Sequence, residues 1–587
     1  MAVEHDQQTT GFGQVSRLKG LVFEYLSFGA SVVGILALAV LLIYVTVDAF
    51  ELSNASPEWL LTYVATLVVP YVGFCLYSAN DREVTRRVGL ALGGGLIATP
   101  VVINGFELLV RPIPRLGWHL VYLFAVVIPV TCYSTYVGSQ RPVGRVGFGF
   151  VGRLLGGTAL GIALILLFVV FDQYLWLLTY TFGLVPAAAA LVYSRYRESD
   201  LTALLAYPIG AVGLGAAFYV RGLFDVYPTT WLIFIWTLAI PASGAIAAVV
   251  ARDEDTRTGL ILGGVAFLLA VGGSFAAGQV GMESKNVLLV LLTTGIPTVA
   301  FGRRTFTAER GRIGLLLPVL IVAGAVLGTV LVRTMGFPGP NSWLDPSFVT
   351  GSASSTARDA GFYPPIVGSV MIIAFVALVS FVLGVGSAVF LEEYASDSGI
   401  TGAITRVIQI NIANLAAVPS VVYGLLGLGL FINLLGLGMG AIVTAVLTLS
   451  LLILPITIIS AQEAIRSVPD DLRNGSYAMG ATRWQTTRNV VLPEAFPGIL
   501  TGTILALGRA IGETAPLIII GVPHLTYSPP NGIWDKASAM PLQIYVWSHS
   551  AIGEFRYGVL AAGVVTLLFV LIGMNATAII LRNRFER

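Results

Sequence analysis

Residues 498–521 read GILTGTILALGRAIGETAPLIIIG, an apolar stretch whose charged residues are Arg509 and Glu513. In a helix that rises 1.5 Å per residue, about 20 apolar residues span the ~30 Å hydrocarbon core of a bilayer. Stretches of this length recur along the chain, which has 587 residues, 56% of them hydrophobic and 11% charged. A soluble globular protein carries roughly 25% charged residues. The composition therefore predicts an all-α polytopic membrane protein and excludes soluble enzymes, disordered proteins and nucleic-acid-binding modules.

Hydropathy divides the chain into about 16 spans in the lipid bilayer, among them 154–171, 405–433 and 496–520. Residues 1–26 precede the first apolar run and show no small-residue cleavage site. We expect 1–26 to be a cytoplasmic segment and the following run to be a retained span. Arginine-rich loops such as SANDREVTRR at 78–87 alternate with loops that contain few basic residues. The positive-inside rule then places both termini in the cytoplasm of a protein of the plasma membrane.

The N-terminal half contains an internal repeat. At four places a tryptophan lies at the start of a span and a proline follows about ten residues later. A fifth proline continues the series. The tryptophans are Trp59, Trp118, Trp176 and Trp231, and the prolines are Pro70, Pro129, Pro186, Pro241 and Pro297. A glycine-rich span follows each of these proline-containing spans. We predict about five tandem helical hairpins within 27–311. The alternative is coincidence, because interfacial tryptophans and mid-span prolines are common in membrane helices.

Arg509 and Glu513 lie near the middle of the predicted span 496–520. A charge at mid-bilayer costs roughly 2.5–3.5 kcal/mol on insertion scales, so its presence needs a reason. Four residues apart in a helix, the two side chains share a face and partly neutralise each other. The pair either locks helix packing or offers its guanidinium to an anion. The planar fork of arginine suits oxyanions such as phosphate.

The polar segment 461–498 lies on the cytoplasmic side of the predicted topology. Pro469 followed by Asp470 favours a helix start, Gly480 interrupts the segment, and Pro493 closes its second half. We predict two short helices around a glycine bend, forming an elbow that docks on a soluble partner, rather than a solvated loop. The candidate contact residues are Tyr477, Ala478, Met479, Gly480, Ala481, Thr482, Trp484, Leu492 and Pro493. By contrast, Glu392 and Glu393 at the end of a preceding span are expected to be solvated.

Several motifs in this half carry a family resemblance. The residues GAT at 480–482 and VVLP at 490–493 resemble the coupling loop of ABC importer permeases, in which Glu-Ala-Ala, three residues, Gly and nine residues precede I-x-L-P. Here NGS at 474–476 replaces Glu-Ala-Ala, so the glutamate of the family motif has no acidic counterpart in this chain. RAIGETAPL at 509–517, and PLQIY at 541–545 in the last predicted outer loop, are similar to phosphate permeases of the PstA type.

The resemblance covers about 312–587 and implies a six-helix ABC permease core, whereas the preceding region has no counterpart in the family. It implies a subunit of an ATP-driven phosphate importer, with Arg509, Glu513 and Thr514 along the substrate pathway. The implied partners are a cytoplasmic PstB-like ATPase dimer that grips the 461–498 loop, a PstC-like sister permease and an external PstS-like phosphate-binding protein.

On this interpretation the chain is not an enzyme and has no catalytic residue, metal site or cofactor. Gly-Lys does not occur in the sequence, so there is no Walker A motif and a partner subunit must bind ATP. Two other functions stay open. One is a permease for another oxyanion such as molybdate or sulfate. The other is a secondary transporter or channel in which Arg509 and Glu513 relay ions without ATP.

Overall fold

The computed structural model describes residues 17–108, 112–170, 172–197, 200–223, 227–253, 255–279, 281–307, 311–395, 398–523, 525–530 and 532–585. In these ranges the chain is built of helices, and an isolated β-bridge joins Ala441 and Lys536. Fourteen helices are long and apolar enough to cross a membrane, or up to 15 if a bent pair is one span. The predicted all-α polytopic membrane class is confirmed, with a span count close to the expected one.

We number the principal helices in chain order. The first eleven are α1 (Arg17–Ala49), α2 (Pro57–Ala79), α3 (Arg82–Glu107), α4 (Arg115–Ser139), α5 (Pro142–Val170), α6 (Gln173–Ser194), α7 (Leu204–Arg221), α8 (Thr230–Ala251), α9 (Thr256–Gln279), α10 (Ser284–Arg303) and α11 (Arg312–Met335). The others are α12 (Tyr363–Tyr394), α13 (Gly399–Ala416), α14 (Ser420–Leu434), α15 (Ile442–Arg466), α16 (Asp470–Ala478), α17 (Arg483–Ile511), α18 (Ala515–Ile519), α19 (Met540–Ser548) and α20 (Phe555–Ala576).

One predicted boundary differs from these helices. The N-terminal segment was predicted to end at residue 26, but its residues 17–26 already belong to α1. Residues 1–16 of that segment lie outside the described residues. The predicted span 154–171 lies on α5, except for residue 171, which is outside the described part of the chain.

Five N-terminal helices each contain a wide π-helical turn that ends two residues before a proline. These turns are Val64–Val68, Leu123–Val127, Thr179–Leu184, Ile235–Ala239 and Leu291–Gly295. Proline donates no N–H, and its ring clashes with the carbonyl four residues earlier. The wider turn relieves this clash; for example, the Ile240 N–H donates to the carbonyl of Ile235, five residues back. The same distortion thus recurs in five helices at the repeated prolines, and the tandem repeat of hairpins stays a prediction.

Helices α2 to α11 form a hairpin array in which the last helix packs against the first. A Cβ added to Gly324 of α11 would lie 2.4 Å from the Thr66 carbonyl oxygen in the π turn of α2, and one at Gly328 would lie 2.7 Å from Thr66 Oγ1. The hydroxyls of Tyr63 and Thr329 are hydrogen-bonded at 3.0 Å. Since small residues let membrane helices approach closely, these glycines bring α11 into contact with α2.

Helix α1 packs against α20, the last helix of the chain. Fully buried Ala49 forms a small apolar cluster with Ala561 and Val565. The loop after α1 meets the loop after α11, because the Ser56 N–H donates to the Pro338 carbonyl at 2.9 Å. The hairpin array therefore leaves and rejoins the rest of the chain at neighbouring points.

The division of the chain into 27–311 and 312–587 stays a prediction, but the packing favours another one. Helix α11, predicted to belong to the second region, packs on α2 and α5, whereas α1, predicted to belong to the first, packs on α20. This packing groups α1 with the C-terminal core, which we define as α12 to α20, and groups α11 with the hairpin array.

The C-terminal core is organised around α12 and α15, which are in extensive contact. The side chains of Met371, Leu449 and Ile453 lie in its largest apolar cluster. Helix α19 packs into this cluster, and the Met540 N–H donates to Ser369 Oγ at 2.8 Å. The PLQIY motif, predicted to lie in a loop, is therefore part of a helix that begins with buried residues, because its apolar side chains fill the core.

Candidate functional site

Arg509 and Glu513 flank a helix break. Helix α17 ends at Ile511, so Arg509 lies in its last turn and Glu513 lies beyond it. The prediction of one continuous helix over 496–520, with both charges at its middle, is wrong. The break has a local cause: Pro516 has no N–H to donate to the carbonyl of Gly512, and it lies in the first turn of α18, where a proline is tolerated.

The break still brings the two charges together. Arg509 Nε lies 3.6 Å from Glu513 Oε1, and the two side chains are 45% and 19% exposed. Within the described residues, the Nη groups of Arg509 donate no hydrogen bond. Glu513 therefore lies near the Nε side of the guanidinium, while the Nη groups keep N–H donors that no described residue uses. Two convergent N–H donors on a rigid plane are the arrangement that binds an oxyanion in a bidentate manner.

A bent helix pair lies against this break. Helices α13 and α14 meet at 108°, so the predicted continuous span 405–433 is wrong. Pro419, just before α14, interrupts the helical hydrogen bonds there. The Tyr423 hydroxyl donates to the Leu415 carbonyl at 2.6 Å and fastens the bend.

The second arm of this pair reaches α18. A Cβ on Gly424 would lie 2.9 Å from Pro516 Cα, so α14 contacts the residues directly after Thr514. Thr514 itself precedes α18, and its carbonyl accepts the Ile518 N–H at 3.0 Å. The packing of α14 thus holds the break segment in place. Sequence reasoning missed Tyr423 and this contact; Pro419 was the available signal for the bend.

The elbow at 461–498 is partly as predicted. Its first short helix is α16, which is followed by Gly480 with a left-handed φ of 83°. Thr482 then caps α17: the Gln485 N–H donates to Thr482 Oγ1 at 3.3 Å, and the Thr482 N–H donates to Gln485 Oε1 at 2.8 Å. The glycine bend therefore joins two helices at a well-defined corner.

The second half of the elbow is not a separate short helix, contrary to the prediction. Helix α17 runs from Arg483 through Leu492 and Pro493 to its end at Ile511. A π turn, Thr487–Val491, ends two residues before Pro493, as in the hairpin array. This turn accommodates Pro493 inside the helix, so the proline does not close it.

The corner of the elbow exposes apolar side chains. Met479 is 85% and Trp484 is 56% exposed, and Tyr477 also faces outward. Ala478, Gly480, Thr482 and Pro493 are exposed as well, whereas Ala481 and Leu492 are half-buried. Behind them, the hydroxyls of Ser476 and Thr486 are buried and lie 2.9 Å apart, which ties α16 to α17. A rigid corner with an apolar tip is a suitable contact surface for another protein.

Comparison with known proteins identifies the class of protein to which this chain belongs. The family model described as "Binding-protein-dependent transport system inner membrane component" matches residues 398–585, which contain the elbow and Arg509. The "Probable ABC transporter permease protein YqgI" of Bacillus subtilis (strain 168) is 33% identical over 238 residues, which cover 39% of this chain and 79% of the relative. YqgH of the same organism, with the same description, is 36% identical over 225 residues, covering 36% and 70%.

The name of a third relative states the substrate of that protein. The "Phosphate transport system permease protein PstA 1" of Mycobacterium tuberculosis (strain ATCC 25618 / H37Rv) is 37% identical over 187 residues, which cover 32% of this chain and 58% of the relative. The chain belongs to the binding-protein-dependent inner membrane component family, whose members are permeases of ABC transporters. It is thus a multi-pass membrane protein. The family implies an ATPase partner and a substrate-binding protein.

Proposed function

We propose that this chain is the transmembrane permease subunit of an ATP-driven importer of inorganic phosphate. The observation that carries the proposal is the half-exposed side chain of Arg509 at a helix break inside the family region, with Glu513 near its Nε and no hydrogen bond from its Nη groups to a described residue. An oxyanion accepts two parallel hydrogen bonds from such an edge. The nearby carboxylate lowers the local positive charge and so keeps binding weak enough for release.

The elbow supplies the coupling in this proposal. A PstB-like ATPase dimer binds the apolar corner around Met479 and Trp484, and a PstC-like sister permease completes the pathway. A PstS-like binding protein delivers phosphate from outside. Both termini lie in the cytoplasm, and the permease is not catalytic: ATP is bound and hydrolysed by the partner. Relatives named as phosphate transport permeases support phosphate as the cargo.

The test uses the complete importer, reconstituted in lipid vesicles, and measures ATP-dependent entry of radiolabelled phosphate. Arg509→Gln is expected to lower the initial rate at least about tenfold, because a hydrogen bond to a charged group contributes about 1.5–3 kcal/mol. Arg509→Lys should give an intermediate rate, since it keeps the charge but loses the planar fork. The matched control is Arg333→Gln, which changes an exposed arginine in the last turn of α11 and should leave uptake unaltered.

Three outcomes would contradict this function. Normal uptake by Arg509→Gln would remove the residue from the pathway. Uptake of molybdate or sulfate in preference to phosphate would identify a different oxyanion importer. Phosphate entry without ATP would indicate a secondary transporter or channel.

A further inference from the structure

The cytoplasmic end of α12 contains a helical distortion that no proline explains. Residues Phe390–Tyr394 form a π turn, closed by the Ala395 N–H, which donates to the Phe390 carbonyl at 2.8 Å. The π turns of the hairpin array each end shortly before a proline, but here Ala395 follows. Single π turns inside α-helices are frequent at functional sites. This turn carries two adjacent glutamates, Glu392 and Glu393.

Glu393 is buried, which corrects the prediction that it is solvated. Only 5% of the residue is exposed. A buried carboxylate is stable only when it is paired and hydrogen-bonded. Its partner is Arg473, whose Nη1 donates to Glu393 Oε1 and whose side chain is itself largely buried. Arg473 belongs to α16, the first helix of the elbow.

The guanidinium of Arg473 joins three elements. Besides its pairing with Glu393 in the π turn, its Nη2 donates to the carbonyl of Ile465, near the end of α15, at 2.7 Å. Ile465 is fully buried. A planar group held along two edges by buried acceptors has little rotational freedom. The position of α16 is therefore fixed relative to both α12 and α15.

The neighbouring glutamate makes a different connection. Glu392 accepts hydrogen bonds from Arg466 Nε at 2.8 Å and Nη2 at 2.7 Å, and from Gln462 Nε2 at 2.7 Å. Both partners belong to α15, and the Arg466 side chain is half-exposed. Of these two adjacent carboxylates, Glu393 alone pairs with α16 within the described residues, whereas the partners of Glu392 lie on α15. Glu392 is thus a matched reference for the effect of removing a charge from the π turn.

We propose that the buried Glu393–Arg473 pair is the joint that passes movement of the elbow to α12. This inference rests on the proposed function, in which an ATPase binds the corner next to α16. When the ATPase displaces α16, Arg473 pulls the π turn, while the hydrogen bond between Ser476 and Thr486 pulls α17. The widened turn lets the end of α12 follow without breaking the regular helix above it. Glu393 and Arg473 are positioning residues, since neither contacts substrate.

The test compares Glu393→Gln, Arg473→Gln and Glu392→Gln in the reconstituted importer. It measures capture of the ATPase by the permease and the number of substrate molecules moved per ATP hydrolysed. Glu393→Gln and Arg473→Gln should capture the ATPase normally but lower this ratio about tenfold, whereas Glu392→Gln should stay within about twofold of the wild type. The exchange Glu393→Arg with Arg473→Glu should recover most of the ratio, because it restores the pair.

A second measurement separates the joint from the identity of the substrate. Spin labels at Leu378 of α12 and Leu505 of α17, both exposed, report the distance between these helices when ATP binds the complex without substrate. The distance should change in the wild type and stay constant in Glu393→Gln. If the wild-type distance changes but phosphate is not imported, the proposal for the joint is retained and the proposal that phosphate is the substrate is wrong.

Any of three results would contradict the proposal that this pair is the joint. The first is a normal transport ratio, or a normal distance change, in Glu393→Gln. The second is an equal loss in Glu392→Gln, which would assign the effect to the charge of the whole π turn. The third is loss of ATPase capture in Glu393→Gln, which would make the pair part of the docking surface.

Discussion

At the scale of single residues, Gly156 and Gly157 of α5 differ only in their surroundings. A Cβ on Gly157 would lie 2.6 Å from the Thr293 carbonyl oxygen and 2.6 Å from Thr294 Cα, in the π turn of α10. A Cβ on Gly156 would have no atom within 4 Å. The contact with backbone atoms leaves no side chain that can rotate away, so the two helices must separate if Gly157 gains a methyl group.

We therefore predict that Gly157→Ala destabilises the protein by about 1–3 kcal/mol, the usual cost of overpacking. Gly156→Ala should be neutral or stabilising by up to about 1 kcal/mol, because alanine favours the helix. The measurement is the apparent unfolding temperature of the purified protein in detergent. Equal unfolding temperatures for the two variants would show that α5 and α10 do not approach this closely.

At the scale of elements, the elbow depends on the backbone conformation of Gly480. No atom lies within 4 Å of a Cβ built there, so space does not restrict this position. The restriction is the positive φ of 83°, which costs an L-residue with a side chain roughly 1–2 kcal/mol. The hydrogen bond from the Ala481 N–H to the Ser476 carbonyl, at 3.2 Å, depends on this conformation.

Gly480→Ala should loosen the corner and weaken binding of the ATPase about tenfold, because about 1.4 kcal/mol corresponds to this factor. Gly480→Asn should have a smaller effect, since asparagine tolerates left-handed geometry. Gly475→Ala is the control: this glycine of α16 also has open space around its Cβ position but lies inside a helix. The measurement is ATPase affinity together with amide hydrogen exchange of residues 481–486. Unchanged exchange and affinity in Gly480→Ala would disprove the role of the bend.

At the scale of the whole molecule, the hairpin array is inserted in the connection between α1 and α12. Its ends meet where Ser56 donates to Pro338. Arg358 contacts Glu51 at 3.0 Å and stacks on Trp343 with 3.6 Å between Cζ and the ring centroid. These contacts connect the loop after α1 directly to the loop before α12, without help from the array.

We predict that a variant lacking residues 57–337, with a short Gly-Ser linker at the junction, still assembles with the ATPase and imports substrate. Deleting residues 1–301 should instead abolish assembly, because it removes α1 from α20 and leaves α11 without α2. Size-exclusion chromatography and vesicle uptake measure both properties. Normal assembly but no uptake after removal of 57–337 would show that the array takes part in transport.

The amino-acid sequence alone determined the membrane class, the family resemblance and the positions of the repeated prolines. Hydropathy identifies a span from its own residues, and the motifs at 480–493 and 509–517 are continuous in the chain. A proline distorts the helix that contains it, so the repeated prolines mark positions where the helices of the array depart from regular geometry. Such properties require no knowledge of the rest of the molecule.

Only the tertiary structure decided which helices belong together and which charges meet. An apolar face does not reveal whether it contacts lipid or another helix, because lipid tails are as apolar as leucine. Hydropathy therefore could not predict that α1 packs against α20. Likewise, Glu393 pairs with Arg473 across 80 residues of sequence, and its burial follows from the packing of three elements that no local pattern specifies.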